Sequence, residues 1–169
     1  MKFNLIVAYD LNNGIGKNNK LPWNIPDDLK HFSNLTRGNG NNAVIMGKNT
    51  WLSLTKELKN RDNLILSKSL EINNNQKIFK NLNDLLIFIK NKNYDDVWVI
   101  GGEKIYKLFL DNNLINTIYA TTIKYNFNCD TFFPLINYKY WITTIYNKFN
   151  YKNLEIKYLK LSIRNDYYI

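Results

Sequence analysis

The sequence lacks the features of extracellular, membrane-spanning and metal-binding proteins. Cys129 is its only cysteine, so no internal disulfide can form and no cysteine cluster is available as a metal site. No apolar run approaches the roughly 20 residues of a membrane-spanning helix. The opening residues 1–8 are too short, and too soon followed by Tyr9-Asp10, to form a signal peptide. We therefore expect a first β-strand there and a cytoplasmic protein.

Runs of basic residues are also absent, although the net charge is +9. This charge raises nucleic-acid binding as an alternative function. The lysines are dispersed, often beside asparagine and isoleucine, and are not grouped as in a nucleic-acid-binding arm. We therefore expect no nucleic-acid partner, and the diffuse positive field suits anionic small molecules.

The 169 residues, 45% of them hydrophobic and 22% charged, fit one soluble domain spanning 1–169. Strand-like and helical patterns alternate early in the chain, and the late strands alternate in polarity. This order predicts an α/β fold: a central twisted, mostly parallel mixed sheet with an antiparallel C-terminal edge and about four helices on both faces. The predicted strands are 3–9, 43–47, 63–67, 77–79, 95–100, 117–124, 141–146 and 154–161. The predicted helices are 26–37, 48–54, 82–91 and 103–110.

Three polar segments are predicted to be irregular. Residues 10–20 contain two glycines and no apolar period, and loops of this length are commonly lids or binding elements. Residues 71–76 are rich in asparagine and are predicted to form a surface loop. Residues 129–134 are predicted to form a compact turn.

The segment 21–35 contains the start of a predicted helix and a carboxylate on the apolar face of that helix. Pro26 suits the first turn of a helix. Apolar residues follow at helical spacing: Leu29, Phe32 and Leu35. Asp28 shares their face, and the solvated face is assigned to Asp27, His31 and Asn34. An isolated charge on an apolar face is very costly, so Asp28 either has a structural partner or binds a ligand with hydrogen-bond donors.

Glycines and hydroxyls stand where the predicted parallel strands end. Gly47 precedes a helix that starts with Lys48, Ser67-Lys68 ends the next strand, and Gly101-Gly102 separate a buried strand from a helix. Free backbone N–H groups at such helix starts favour a phosphate, and ligands of these folds lie at the carboxyl ends of the strands. The alternatives are a simple strand-to-helix turn and tight helix–strand packing.

Several separated segments, in a common order and spacing, resemble dihydrofolate reductases over nearly the whole chain. They are Gly14-Ile15-Gly16 with 21–29, 44–51, Arg61 with 63–67, 99–102 with Tyr106, and 130–134. The resemblance implies NADPH-dependent reduction of 7,8-dihydrofolate to 5,6,7,8-tetrahydrofolate, with a hydride added at pterin C6 and a proton at N5. It also implies a supply of one-carbon units for thymidylate synthesis, binding of antifolates, and a monomer.

The resemblance also implies roles for individual residues. Asp28 is implied to anchor and polarise the pterin, Thr121 to support it and Trp23 to order water. The other implied substrate residues are Leu29, Arg61 and Tyr106, together with Ile6, Val7, Phe32, Leu54 and Ile100. The last five would be plain core residues in the alternative interpretation. Arg61 is implied to pair with the folate α-carboxylate. The implied cofactor residues are Ala8, Ile15, Gly16, Gly47, Lys48, Asn49, Thr50, Leu66, Ser67, Lys68, Gly101, Gly102, Glu103, Lys104, Ile105 and Tyr106.

Three positions depart from the family pattern. Lys48 and Lys68 stand where many members carry arginine beside the cofactor 2′-phosphate, and Leu21 stands where methionine is frequent. Residues 39–42 lengthen the connection after the first helix. A pyrimidine reductase of riboflavin synthesis is the rival enzyme on the same fold. The cluster from Trp23 to Asp28, together with Arg61, favours the folate enzyme.

Overall fold

A computed structural model describes residues 2–71 and 76–164. Ten strands are assigned: β1 Phe3–Tyr9, β2 Gly14–Gly16, β3 Asn42–Gly47, β4 Arg61–Leu66, β5 Lys77–Phe79, β6 Val97–Gly101, β7 Ile115–Ile123, β8 Thr131–Phe132, β9 Trp141–Tyr151 and β10 Leu154–Ile163. The α-helices are α1 Pro26–Arg37, α2 Lys48–Ser53, α3 Leu82–Lys90 and α4 Glu103–Asp111, and residues 138–140 form a 3₁₀ turn. The predicted loop 71–76 lies mostly outside the described residues.

Eight of these strands form one sheet in the order β5-β4-β3-β6-β1-β7-β10-β9. The neighbours from β5 to β7 pair in parallel, and β10 pairs antiparallel with both β7 and β9. The predicted mostly parallel sheet with an antiparallel C-terminal edge is confirmed. Within the described residues, no helix is long and apolar enough to cross a membrane.

The two faces of the sheet carry different helices. Leu5 and Val7 of β1 pack with residues of α3 and α4, including Leu85 and Phe109. Ile6, which alternates to the other face, packs with residues of α1 and α2. The expectation that β1 is covered on both faces is therefore confirmed, and so are helices on both faces of the sheet.

The segment predicted as a loop over 10–20 contains a strand, and this part of the prediction was wrong. β2 pairs antiparallel with β8, which lies in the segment predicted as a turn. Gly14 allows this approach, because a Cβ there would lie 2.5 Å from the Cβ of Cys129. Asp10 ties the segment together by accepting hydrogen bonds from the backbone N–H groups of Asn12, Gly14 and Phe127. No apolar period marks such a short pairing.

Two further expectations need correction. The late strand predicted over 141–146 extends to Tyr151, and most of β9 is exposed on both sides instead of alternating, because it forms the outer edge of the sheet. On α1, Leu29 is 48% exposed although it was assigned to the apolar face. His31, assigned to the solvated face, is half-buried because its ring stacks on Tyr158 of β10. The antiparallel edge thus covers a side of α1 that helical periodicity alone leaves in solvent.

Candidate active site

Asp28 lies in the first turn of α1, which begins at Pro26. Its side chain is 8% exposed, and Thr121 of β7 donates a hydrogen bond of 2.6 Å from Oγ1 to Asp28 Oδ1. Burial raises the pKa of the carboxyl, and the Thr121 hydrogen bond lowers it in part. Among the described residues no basic side chain forms an ion pair with Asp28. The carboxylate is thus buried, and it can accept further hydrogen bonds from a ligand.

Four predicted substrate residues pack together beside α1. Ile6, Phe32, Leu54 and Ile100 belong to one apolar cluster, which lies between the sheet and the helices α1 and α2. The side chain of Val7 belongs to the cluster on the opposite face, so it does not join this wall. Leu29 is exposed next to the buried Asp28. The wall therefore presents an apolar surface near a carboxylate, which suits a flat heterocycle with polar edges.

Trp23 lies in a third apolar cluster with Tyr158, and Ala8 packs against the same group. The indole is 9% exposed, its ring centroid is 5.1 Å from that of Phe127, and its Nε1 has no hydrogen-bond partner within the described residues. A buried donor without a partner costs free energy unless a ligand or an ordered water accepts from it. This orphaned donor fits a position that faces bound water or ligand.

Arg61, the first residue of β4, reaches back to α1. Its Nη1 donates to Thr36 Oγ1, its Nη2 to Ser33 Oγ at 3.4 Å, and its Nε to the carbonyl of Lys59 at 3.1 Å. The guanidinium lies 6.0 Å from the centroid of the Phe32 ring. Burial, and then the charge of Arg37, lower its pKa. The structure thus places a braced cation at the end of the apolar wall, where it suits an anion.

The carboxyl ends of β3, β4 and β6 bring the predicted cofactor residues to one edge of the sheet. Gly47 lies next to Leu66 in register and Met46 next to Gly101. The peptide bond between Gly101 and Gly102 is cis. Gly101 has a φ of +116°, and a Cβ there would lie 3.0 Å from the Tyr106 ring, so no other residue fits without a shift.

Hydroxyl groups and cations surround this edge. Tyr106 is fully packed, with its hydroxyl 2.8 Å from the Ile6 carbonyl and 2.9 Å from the Ile100 carbonyl. Lys48 donates to Ser69 Oγ at 3.2 Å, and Ser67 Oγ accepts from the N–H groups of Ser69 and Leu70. Lys68 is exposed. Two lysines beside hydroxyls form a donor set that fits a phosphate.

The remaining predicted cofactor residues surround the same end of the molecule. Asn49 donates to Asn19 at 3.4 Å, which links α2 to the loop after β2, and Thr50 lies near Gly102. Ile15 packs against the cluster that contains Leu66 and Ile105. Gly16 accepts from the Asp130 N–H in the β2–β8 ribbon, and Glu103 and Lys104 are exposed at the start of α4.

Sequence reasoning missed an aromatic cluster beside α1, formed by His31, Tyr119, Tyr146 and Tyr158. His31 of α1 stacks on Tyr158 of β10 and is 2.7 Å from the hydroxyl of Tyr146 on β9. Tyr119 of β7 extends the cluster, with its ring centroid 6.5 Å from that of Tyr146. The buried position of Tyr158 could have been predicted, because it lies two residues after the apolar Ile156 on β10, and residues two apart share one face of a strand. No sequence pattern connects Tyr146 with His31, which precedes it by 115 residues.

Comparisons with known proteins agree with this geometry. A family model described as dihydrofolate reductase matches residues 2–162. The viral dihydrofolate reductase of Saimiriine herpesvirus 2 (strain 488) is 42% identical over 149 residues, which cover 80% of this chain and 70% of that protein. The dihydrofolate reductase of Haemophilus influenzae is 37% identical over 142 residues, which cover 83% of this chain and 84% of that protein. With a match of this extent, the chain belongs to the dihydrofolate reductase family.

Proposed function

We propose that Asp28 binds and polarises the pterin ring in the reduction of 7,8-dihydrofolate to 5,6,7,8-tetrahydrofolate. The chain is an NADP-dependent oxidoreductase of this reaction class. The observation that carries the proposal is the buried Asp28 carboxylate, whose hydrogen bond from Thr121 leaves further lone pairs free. A pterin offers the matching donors, because its 2-amino group and a neighbouring ring nitrogen present two N–H groups side by side.

Asp28 acts on the proton transfer indirectly. It holds the edge of the ring that is remote from N5, so it is too far to deliver a proton there itself, and water is the donor. A negative charge on that edge makes N5 more basic. The unpaired Nε1–H of Trp23 is suited to hold such a water near the site.

Arg61 is assigned to the carboxylate tail of the substrate. Its guanidinium is already oriented by Thr36 and Ser33, so little side-chain entropy is lost when an anion binds. The apolar residues between Asp28 and Arg61, which include Phe32, Leu54 and Ile100, are suited to the pterin and benzoyl rings. Asp28 in the first turn of α1, and Arg61 of β4 bound to Ser33 and Thr36 further along α1, therefore suit a ligand that is polar at both ends.

NADPH is assigned to the edge formed by the ends of β3, β4 and β6, and when bound it supplies the hydride that C6 accepts. Lys48, Lys68 and Ser67 would hold the 2′-phosphate, and the first turn of α4 after Gly102 would face the diphosphate. Lysines are point charges, so they favour a phosphate with less geometric selection than arginine. We also propose a cytoplasmic monomer that binds antifolates in the Asp28 pocket.

Turnover by the purified chain tests the proposal. With 7,8-dihydrofolate and NADPH we expect equimolar loss of reduced nicotinamide and formation of tetrahydrofolate, and loss of both with Asp28→Asn. Reduction of a ribosylaminopyrimidine with inert dihydrofolate would assign the chain to the rival reductase. Tight nucleic-acid binding that survives moderate salt, without turnover, would contradict an enzymatic role.

A further inference from the structure

His31 occupies an unusual position for the chain's single histidine. It lies on α1 three residues after Asp28, and its imidazole stacks on the Tyr158 ring with centroids 4.1 Å apart and an interplanar angle of 9°. Its Nε2 is 2.7 Å from the hydroxyl of Tyr146. A stacked ring with one hydrogen-bonded nitrogen is held in a fixed orientation, as a residue with a role in a site needs to be.

His31 is connected with Asp28 through neighbouring side chains: it stacks on Tyr158, which lies opposite Thr121 in the β7–β10 pairing, and Thr121 donates to Asp28. Tyr146 reaches it from β9 and Tyr158 from β10, and the ring of Tyr119 on β7 lies beside Tyr146. Burial, the nearby Tyr119 and then the Asp28 charge raise the pKa of Tyr146 to about 12. Burial and the charges of Asp28, Asp27 and Tyr146 raise the pKa of Tyr158. A cation also lies near these rings: the Nζ of Lys160 is 5.6 Å from the centroid of the Tyr119 ring.

We propose that His31 is a positioning residue of the Asp28 site, which acts by setting the direction of the Tyr146 hydroxyl. The proposal rests on the assignment of Asp28 as the folate-binding carboxylate. A neutral imidazole can accept a hydrogen bond at Nε2 from the Tyr146 hydroxyl. The hydroxyl proton then points toward His31, and the oxygen lone pairs point away from it. A protonated imidazole must donate to that oxygen, so the Tyr146 proton becomes available to other acceptors, among them the Asp28 region.

This arrangement links two ionisations. An ionised Asp28 favours a Tyr146 hydroxyl that directs its proton toward the Asp28 region, and this orientation favours a protonated His31. In return, a protonated His31 favours the ionised form of Asp28. Burial lowers the pKa of His31 from its ordinary 6.5, and burial raises the pKa of Asp28 from its ordinary 3.8. Burial thus shifts the two pKa values toward each other, and sites that interact strongly titrate as a pair.

Nuclear magnetic resonance of the imidazole tests this linkage without turnover, because a single histidine gives one set of ring signals. We expect Asp28→Asn to lower the His31 pKa by about half a pH unit or more. We expect that decrease to shrink in a Tyr146→Phe background. An unchanged His31 pKa in Asp28→Asn would overturn the linkage. An equal decrease with and without the Tyr146 hydroxyl would overturn its transmission through Tyr146.

Dihydrofolate binding measured against pH tests the effect on the site. His31→Phe keeps the stacked ring but removes the nitrogens, and we expect the apparent pKa of binding to rise by about half a pH unit. His31→Gln, which restores a donor to Tyr146, should recover at least half of that shift. Tyr151→Phe is the control, because it removes a hydroxyl from β9, the strand that carries Tyr146, and it should leave the apparent pKa of binding unchanged.

A purely structural His31 predicts no shift in His31→Phe, and that result would overturn the proposal. Failure to recover with His31→Gln would do so as well. If the wild-type chain does not bind dihydrofolate, the proposed function fails. The imidazole titration still decides whether His31 and Asp28 are linked.

Discussion

The Asp28 end and the nucleotide end of the site are built in different ways. At the Asp28 end, Asp28 is buried and Arg61 is half-buried, and both already have partners in the chain: Thr121 donates to Asp28, and Arg61 donates three hydrogen bonds. At the proposed nucleotide end, backbone groups at the strand ends and two lysines dominate: Lys68 is exposed, and the partly exposed Lys48 donates to the hydroxyl of the exposed Ser69. Removing a charge should therefore cost far more at the first end than at the second.

The difference follows from solvent screening. Water surrounds Lys68, so its attraction for a phosphate is weak and depends on salt. Burial removes that screening at Asp28 and leaves a carboxylate that has few acceptable partners. We therefore expect the Asp28 end to determine which ligand binds, and the proposed nucleotide end to gain affinity through several small contributions.

The largest expected effect is the loss of the Asp28 charge. Asp28→Asn keeps the shape of the side chain and an oxygen for Thr121, but it removes the charge and exchanges one acceptor for a donor. We expect kcat to fall by at least about 100-fold, the scale of a lost proton-transfer contribution. Stopped-flow and steady-state rates with dihydrofolate measure this loss.

The same variant separates the two ends, because we expect its Kd for NADPH to stay within about twofold, less than the loss of one typical hydrogen bond. Asp27→Asn, one residue earlier and exposed, is the matched control and should retain wild-type turnover. Near-wild-type turnover by Asp28→Asn at neutral pH would remove the role assigned to the carboxylate.

The next largest effect is expected at Arg61. Charge-assisted hydrogen bonds are worth about 1.5–3 kcal/mol, so Arg61→Ala should raise the dihydrofolate KM by about 10- to 100-fold. The effect on kcat should be small, because the guanidinium lies 6.0 Å from the Phe32 ring and is assigned to the tail of the substrate, away from the reacting atoms. Arg37→Ala removes the neighbouring exposed arginine as a control. Equal changes in KM for both variants would mean that only the local positive field matters.

The parts of the site that could be predicted from sequence are those fixed by local order. Gly47, Ser67 and Gly101 follow apolar strands directly, and parallel strands bring their carboxyl ends together whatever the distance in sequence. The buried position of Asp28 could also be predicted from local order, because helical spacing places it on the apolar face of α1. The sheet itself was predicted with errors of a few residues at the ends of its strands.

The parts that could not be predicted depend on contacts between distant segments. His31 is half-buried because β10 and β9 pack beside α1, and nothing in its own helix signals that cover. Leu29 is 48% exposed although it shares the apolar face of α1, and helical spacing gives no sign of this exposure. The pairing of β2 with β8 involves segments of three and two residues, which is too short for a period to appear.

A smaller effect is expected from the lysines at the nucleotide end. Lys48→Ala combined with Lys68→Ala should reduce the preference for NADPH over NADH by about 3- to 10-fold, since exposed charges contribute little each. The ratio of kcat/KM for the two cofactors measures it, and added salt should shrink the difference. Lys90→Ala with Lys92→Ala removes the same charge elsewhere. An unchanged ratio in the first double variant would mean that other groups recognise the phosphate.

The smallest expected effect is on stability: Asp28→Asn, which should lower turnover, should raise the stability of the folded chain at neutral pH. Burial raises the pKa of folded Asp28 above its ordinary 3.8. Below 3.8 the carboxyl is protonated in the folded and unfolded chain alike, so its contribution is fully present. As the pH rises through the folded-state pKa, ionisation favours the unfolded chain and that stability is lost. Asp28→Asn cannot ionise, so its Tm should exceed that of the wild type at neutral pH but not at acidic pH.

Each kcal/mol gained in this way raises Tm by about 2–4 °C in a chain of this size. Thermal melts of both proteins from acidic to neutral pH measure the difference in Tm. For the control Asp27→Asn, the difference in Tm from the wild type should not increase with pH. A variant that is less stable than the wild type at neutral pH would mean that Asp28 has a stabilising partner when ionised. The buried carboxylate would then be a structural group, and the contrast between the two ends of the site would lose its basis.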